Sequence, residues 1–342
     1  MHVEVLSDIE EFESQERERP EPDAGEVLVR MRNVGICGSD VHYWEHGRIG
    51  DFVVEGDLVL GHESAGEVVE VGEDVTDLEA GMEVTVEPNI PCRRCEACKR
   101  GNYHLCDDIE FMATPPHDGA FTEYVAWPAD FVYELPESVS TREGALCEPI
   151  SVCLNACRRG NVDVGDTVLV TGCGPIGQIS MQVAYAFGAD EVITTDVVPA
   201  KLDRAEEHGA AHTVNVAETD LEAEIEEYTD GTGVDVVIEA SGAEPAMRST
   251  LDVVRRGGTV VLLGMPIEGE MPLDTLDIIS NEIDVHGSFR FRNTYPDAIS
   301  LLESGRVDVD GLIDFTQPLG EVSDAFERVR DDDSVVKGMI EI

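Results

Sequence analysis

The chain has 342 residues, enough for two domains, with 72 acidic against 23 basic residues and a formal net charge of −49. Such a surface repels nucleic acid and anionic membranes, and no apolar run approaches the roughly 18 residues a bilayer span needs. The acids are interleaved with periodic apolar segments rather than gathered in a tail, and the acidic, polar N-terminus does not read as a signal peptide, so the expectation is a folded, soluble, cytoplasmic protein.

Residues 1–146 read as short strands and loops, such as 26–34 and 65–71, with no long amphipathic helix. The pattern then changes. Strands are predicted at 167–171, 191–195, 213–216, 234–239 and 259–263, and helices at 176–187, 201–208, 221–228 and 246–254. This alternation is that of parallel βαβ units with helices on both faces of a sheet. A last strand near 283–287 brings the count to six, the Rossmann number. The segment from about Ser288 is mixed and too short to stand alone, so it is expected to return to the first domain. The predicted α/β organisation is thus 1–147 with 288–342 as one domain and 148–287 as a cofactor domain.

Gly172-Cys173-Gly174-Pro175-Ile176-Gly177 directly follows a predicted strand and opens a helix, the context a GxGxxG dinucleotide loop requires. Its first glycine permits the turn, its second the approach of a pyrophosphate, its third close helix–strand packing. The helix N-terminus then offers unpaired N–H groups to the phosphates. Asp196 ends the next strand, where a carboxylate suits the ribose 2′-hydroxyl of NAD. No arginine directly follows it to accept the phosphate of NADP, although Lys201 and Arg204 lie close enough to soften that repulsion.

The chain holds nine cysteines, an odd count that argues against a disulfide framework. Four of them, Cys92, Cys95, Cys98 and Cys106, are spaced to enclose one zinc ion tetrahedrally, leaving no place for substrate: a structural site. A catalytic metal needs an open position. Cys37, His62 and Glu63 are all competent zinc ligands, with Gly61 allowing the irregular backbone that lets adjacent side chains both reach an ion. Glu148, at the predicted domain junction, is a fourth or outer carboxylate.

The stretches VGICGSDVHYW and VLGHESAGEVVEVG, the four-cysteine lobe and the GxGxxG loop, in this order along essentially the whole chain, resemble the zinc-containing medium-chain dehydrogenases. CGSDVHYWEHGRIGDF, FMATPPHDGAF, CEPISVCLNACRRG and GSFRFRNTYP look most like sorbitol and xylitol dehydrogenases. The resemblance implies a GroES-like, mostly-β catalytic domain beside the Rossmann domain. It implies two zinc ions per subunit: Cys37, His62 and Glu63 with a water at the catalytic one, Glu148 close behind that water, and the four cysteines at the other. It implies Ser39 as first proton acceptor, His42 continuing the relay, and Tyr43, Phe111, Thr114 and Arg290 around a polyol. Phe291 stands where animal enzymes carry tyrosine. NAD is the implied cofactor, a homotetramer the implied assembly with a dimer as the smaller option, and a small polyol or sugar the partner, with neither nucleic acid nor membrane. The competing readings are a glucose or threonine dehydrogenase on the same scaffold and, from another class, a non-catalytic protein that kept the fold. The acid-rich balance with only Lys99, Lys201 and Lys337 as lysines is similar to that of haloarchaeal proteins; at molar salt the Debye length falls to about 3 Å and the self-repulsion becomes tolerable.

Overall fold

The computed structural model describes residues 1–266 and 270–342, which divide into two compact units: Met1–Glu148 with Tyr295–Glu303 and Val309–Ile342, and Pro149–Thr294 with Ser304–Asp308. The chain therefore changes unit one residue later than expected from the sequence, and it returns to the first unit at Tyr295 rather than Ser288.

The first unit is built on a sheet of seven strands among the described residues. Glu26–Gly35 lies near its middle, between Glu63–Val71 and the last strand, Lys337–Glu341, and also pairs with Tyr124–Pro128. These pairings are antiparallel, whereas Ile313–Pro318 runs parallel to Lys337–Glu341 at the sheet edge. Val27, Leu28, Val29 and Met31 are all fully buried, as befits a central strand covered on both faces. The C-terminal return thus adds two strands to this sheet, and one of them carries Lys337 inward.

A helix at Gly38–His46 departs from the expectation of strands and loops in this region. Its buried face is Asp40, Tyr43 and Trp44. One of those three, Asp40, is charged, so the apolar period that signals a helix is broken. Its ends are nonetheless well specified. Oδ2 of Asp40 accepts the Cys37 amide at 3.1 Å, and Gly47, at φ 66°, closes the C-terminus by donating to the Tyr43 carbonyl at 2.8 Å.

The second unit is a six-stranded parallel sheet among its described residues. In space the strands run His212–Asn215, Glu191–Asp196, Thr167–Thr171, Val234–Glu239, Val254–Leu262, Asp284–Gly287. Numbered within the sheet this is 3-2-1-4-5-6, the doubly wound dinucleotide-binding order, with its switch point between Thr167–Thr171 and Val234–Glu239. Leu169, Ile193, Val237 and Val260 fill its core. Among the described residues no helix is long and apolar enough to cross a membrane.

Candidate active site

Three elements of the first unit converge on one buried cluster. Cys37 caps the helix Gly38–His46, His62 ends a loop, and Glu63 opens the strand Glu63–Val71. One ligand atom from each lies within 4.8 Å of the other two. Adjacent residues reach the same point because Gly61 turns the chain at φ 87°, and a Cβ there would press to 2.9 Å on Phe121 and Val34. A thiol, an imidazole and a carboxylate at this separation are the donor set of an open zinc site, so the residues fit the ion that the sequence implies.

Oδ1 of Asp40 sits 3.4 Å from Nδ1 of His62. Burial alone would lower the His62 imidazole, but the Asp40 carboxylate, by charge and hydrogen bond, and the Cys37 sulfur hold it well above its ordinary value. Those same groups surround a bound cation favourably. Glu148, at the start of the helix Cys147–Gly160, is 5% exposed and is not one of the three clustered ligands. Burial pushes its carboxyl up to about 7, His62 opposing the shift and Glu63 adding to it, so it faces the cluster from just outside.

One member escaped the sequence reading. Lys337, 2% exposed, places Nζ 2.5 Å from Oε2 of Glu63 and donates to the Ile36 carbonyl at 2.8 Å. Burial would lower its ammonium; Glu63 and Cys37 keep it above the ordinary value. A charged residue inside the apolar run VVKGMI was the available signal.

Ser39 and His42 are half-buried and three residues apart, hence on one face of their helix. The His42 imidazole is lowered by burial and by His46, whose ring meets it edge-on at 4.6 Å, so it stays a neutral acceptor. Phe111 packs against His62 with ring centroids 5.5 Å apart. Thr114 closes the turn that follows by donating its amide to the Phe111 carbonyl at 3.0 Å. Tyr43 lies within the apolar core of the first unit. Arg290 belongs to the second unit, at φ 50°, with its guanidinium 4.9 Å from the centre of the Phe289 ring, and Phe291 is fully buried.

The four cysteines of the lobe also bring their sulfurs within 4.8 Å of one another. Amides of Cys92, Cys95 and Cys98 donate to the sulfurs of Cys106, Cys92 and Cys95 at 3.3–3.4 Å. The Arg94 and Cys95 amides push the Cys92 thiol down to about 6, while burial and the neighbouring thiols push Cys98 up to about 12. Four thiolates cannot share this space without a cation, and a tetrahedral zinc answers that requirement. The lobe is closed at its base by Asn89–Ile90 pairing with Glu110–Phe111. Beneath it the buried Glu87 accepts Tyr103 at 2.8 Å, Tyr133 at 3.0 Å and Asn89 at 3.3 Å.

In the second unit the glycine loop joins Thr167–Thr171 to the helix Pro175–Phe187, whose N-cap, Gly174, provides no side-chain partner for the first-turn amides. A Cβ on Gly177 would lie 1.7 Å from the Gly172 carbonyl oxygen, whereas one on Gly174 would meet nothing. The loop is therefore tight on its inside and open where a pyrophosphate would lie. The Asp196 carboxylate accepts the amides of Cys173 at 2.7 Å, Val197 at 2.7 Å and Val198 at 2.9 Å, so it ties the loop to the neighbouring strand. Lys201 follows in the helix Pro199–Glu207, and its carbonyl accepts Gln178 at 2.9 Å. Glu239, not anticipated from sequence, is buried at the switch point and gathers Thr171 and the Ser241–Gly242 turn around one oxygen.

Residues 23–137 match the alcohol dehydrogenase GroES-like domain and residues 175–304 the zinc-binding dehydrogenase domain. The chain is 44% identical over 328 residues to sorbitol dehydrogenase of Bacillus subtilis, covering 96% of this chain and 93% of that one. It is 43% identical over 332 residues to D-xylulose reductase A of Aspergillus niger, covering 95% and 92%. Among solved structures, an Escherichia coli oxidoreductase of unknown specificity, 34% identical, superposes with a TM-score of 0.96 over 100% of this chain and 99% of that one.

Proposed function

Because the chain belongs to the zinc-binding medium-chain dehydrogenases, we propose that it oxidises a secondary hydroxyl of a polyol to a ketose, with the hydride passing to NAD. The observation that carries the reading is the gathering of Cys37, His62 and Glu63 within 4.8 Å in a chain 44% identical to a sorbitol dehydrogenase.

Cys37, His62 and Glu63 hold the catalytic zinc, and Cys92, Cys95, Cys98 and Cys106 a second, structural one. When bound, the catalytic ion supplies Lewis acidity that makes the substrate hydroxyl a stronger acid, and NAD takes the hydride. Ser39 accepts the hydroxyl proton, and the neutral His42 passes it towards solvent. Asp40 orients His62, and Glu148 stands behind the open position. The family resemblance implies Phe111, Thr114, Tyr43 and Arg290 as polyol-contacting residues. Gly172, Gly174, Pro175, Ile176 and Gly177 receive the pyrophosphate, and Asp196, with Lys201 nearby, the adenosine ribose. One secondary alcohol and one NAD⁺ give one ketone, one NADH and one proton.

The setting is a cytoplasm rich in salt, and the assembly a homotetramer, which light scattering in molar KCl checks. The function is tested by NAD-linked turnover of sorbitol, xylitol, glucose and threonine in molar KCl. Polyol oxidation that a chelator abolishes is expected. A preference for glucose or threonine transfers the chain to those activities, and zinc in the cysteine lobe alone, with no turnover, marks a non-catalytic relative.

A further inference from the structure

The chain has three lysines among 342 residues, and one of them is buried against a proposed zinc ligand. Lys337 enters on the last strand, whose residues Met339 and Ile340 pair with Gly35 and Val34. Its Nζ lies 2.5 Å from Oε2 of Glu63. The room for this pair is built in: a Cβ on Gly35 would fall 2.1 Å from Oε2 of Glu63 and 3.1 Å from Cε of Lys337. The sheet thus keeps residue 35 bare at the place where the ion pair crosses it.

We propose that Lys337 is a positioning residue for the catalytic metal, and that it weakens rather than strengthens the grip of Glu63 on the ion. This rests on the reading of Cys37, His62 and Glu63 as zinc ligands. By pairing with the Glu63 carboxylate, the ammonium shares it with the ion. Without metal, Lys337 is the cation that balances a pocket holding Cys37, Asp40, Glu63 and Glu148. With metal, it is a positive charge next to another. Removing it therefore destabilises the metal-free protein more than the loaded one, and by linkage the variant binds the ion more tightly than the wild type. A supporting residue of the ordinary kind behaves oppositely: its loss costs about 10–100-fold in metal affinity.

The experiment follows zinc release to a chromogenic chelator in molar KCl. The catalytic ion is identified as the release phase that Cys37→Ser lacks. In Lys337→Met that phase is expected to slow, and the zinc dissociation constant to fall, by about tenfold or more. Lys337→Arg is expected to restore wild-type release. If Lys337→Met does not fold, the double variant Glu63→Gln with Lys337→Met is expected to fold, since it removes both members of the buried ion pair. Faster or unchanged release in Lys337→Met overturns the proposal, as does failure of the double variant to fold. A wild-type protein with no Cys37-dependent zinc overturns the underlying site assignment instead.

Discussion

Oδ1 of Asp40 lies 3.4 Å from Nδ1 of His62 and accepts the Gly61 amide at 3.1 Å, while Oδ2 accepts the Cys37 amide at 3.1 Å. One carboxylate thus fixes the backbone at two of the proposed ligands and the ring of one of them. It leaves Nε2 of His62 as the free nitrogen for an ion. Asp40→Ala is expected to lower affinity for the catalytic zinc by about 10–100-fold while the lobe keeps its metal. Metal analysis after dialysis against a graded chelator series checks this. Equal loss from both sites would assign Asp40 to folding rather than to the ligand.

The two metal sites are expected to separate under mutation. Cys37→Ser removes a proposed ligand of the proposed open site, so turnover should be abolished with the thermal melt little changed. Cys95→Ser opens the closed tetrahedral site, so the melting temperature should fall while the zinc lost on Cys37→Ser is retained. Full turnover by Cys37→Ser would refute the catalytic assignment.

Asp196 is tied to the glycine loop through the Cys173 amide at 2.7 Å. If Asp196 receives the adenosine ribose as proposed, a phosphate there meets the carboxylate as a like charge and forfeits the bond to a free 2′-hydroxyl. The preference for NAD over NADP is expected to be on the order of 2 kcal/mol, a few tens-fold in kcat/KM. Asp196→Ala should narrow the gap and, because the loop loses its tether, raise KM for both cofactors. A wild-type preference for NADP would show that Lys201 or Arg204 governs the site.

The parallel sheet was legible from sequence because its strands are short apolar runs alternating at regular spacing with helical segments; 221–228 and 234–239 were located to the residue. The sites were harder. Cys37, His62 and Glu63 could be named as competent ligands from their chemistry, and the family resemblance assigned them to one ion; what the sequence lacks is the geometry that gathers them, the turn at Gly61 and the pairing of Gly35 with Glu63. The helix Gly38–His46 was hidden because Asp40 occupies its buried face. Lys337, despite the signal of a charge within an apolar run, and Glu239 went unassigned for a related reason. Each is a charge buried beside partners that only the fold supplies.

Glu87 titrates in a range where its effect can be measured. Burial pushes its carboxyl from the ordinary 4.5 up to about 7, against the bonds from Tyr103, Tyr133 and Asn89. A carboxyl raised in the folded state binds its proton more tightly there than in the unfolded chain. Its contribution is therefore full below about pH 4.5 and is lost as pH rises towards about 7. Glu87→Gln should remove that loss, so its melting temperature relative to wild type is expected to climb between pH 5 and pH 8 at fixed molar KCl. A constant difference would place the proton elsewhere.

The charge of −49 is expected to make folding salt-dependent. Self-repulsion that is screened in molar KCl acts over tens of ångströms in dilute buffer. Melting temperature and activity should both fall as salt is removed. An unchanged melt between low and molar salt would leave the acidic surface without this role.

The four-cysteine lobe begins and ends on paired residues, with Ile90 opposite Glu110 and Asn89 opposite Phe111. Its two ends are neighbours in a ladder before any metal is considered. The lobe is thus an excisable insert: the chain can be shortened there and rejoined across a gap already spanned, with Phe111 still beside His62. What excision leaves behind is Glu87, stripped of the Tyr103 hydroxyl but not of Tyr133. A lobeless enzyme would have to supply one hydrogen bond, or an uncharged residue at that position, and a new cover for Phe131, against which Tyr103 packs edge-on at 5.9 Å.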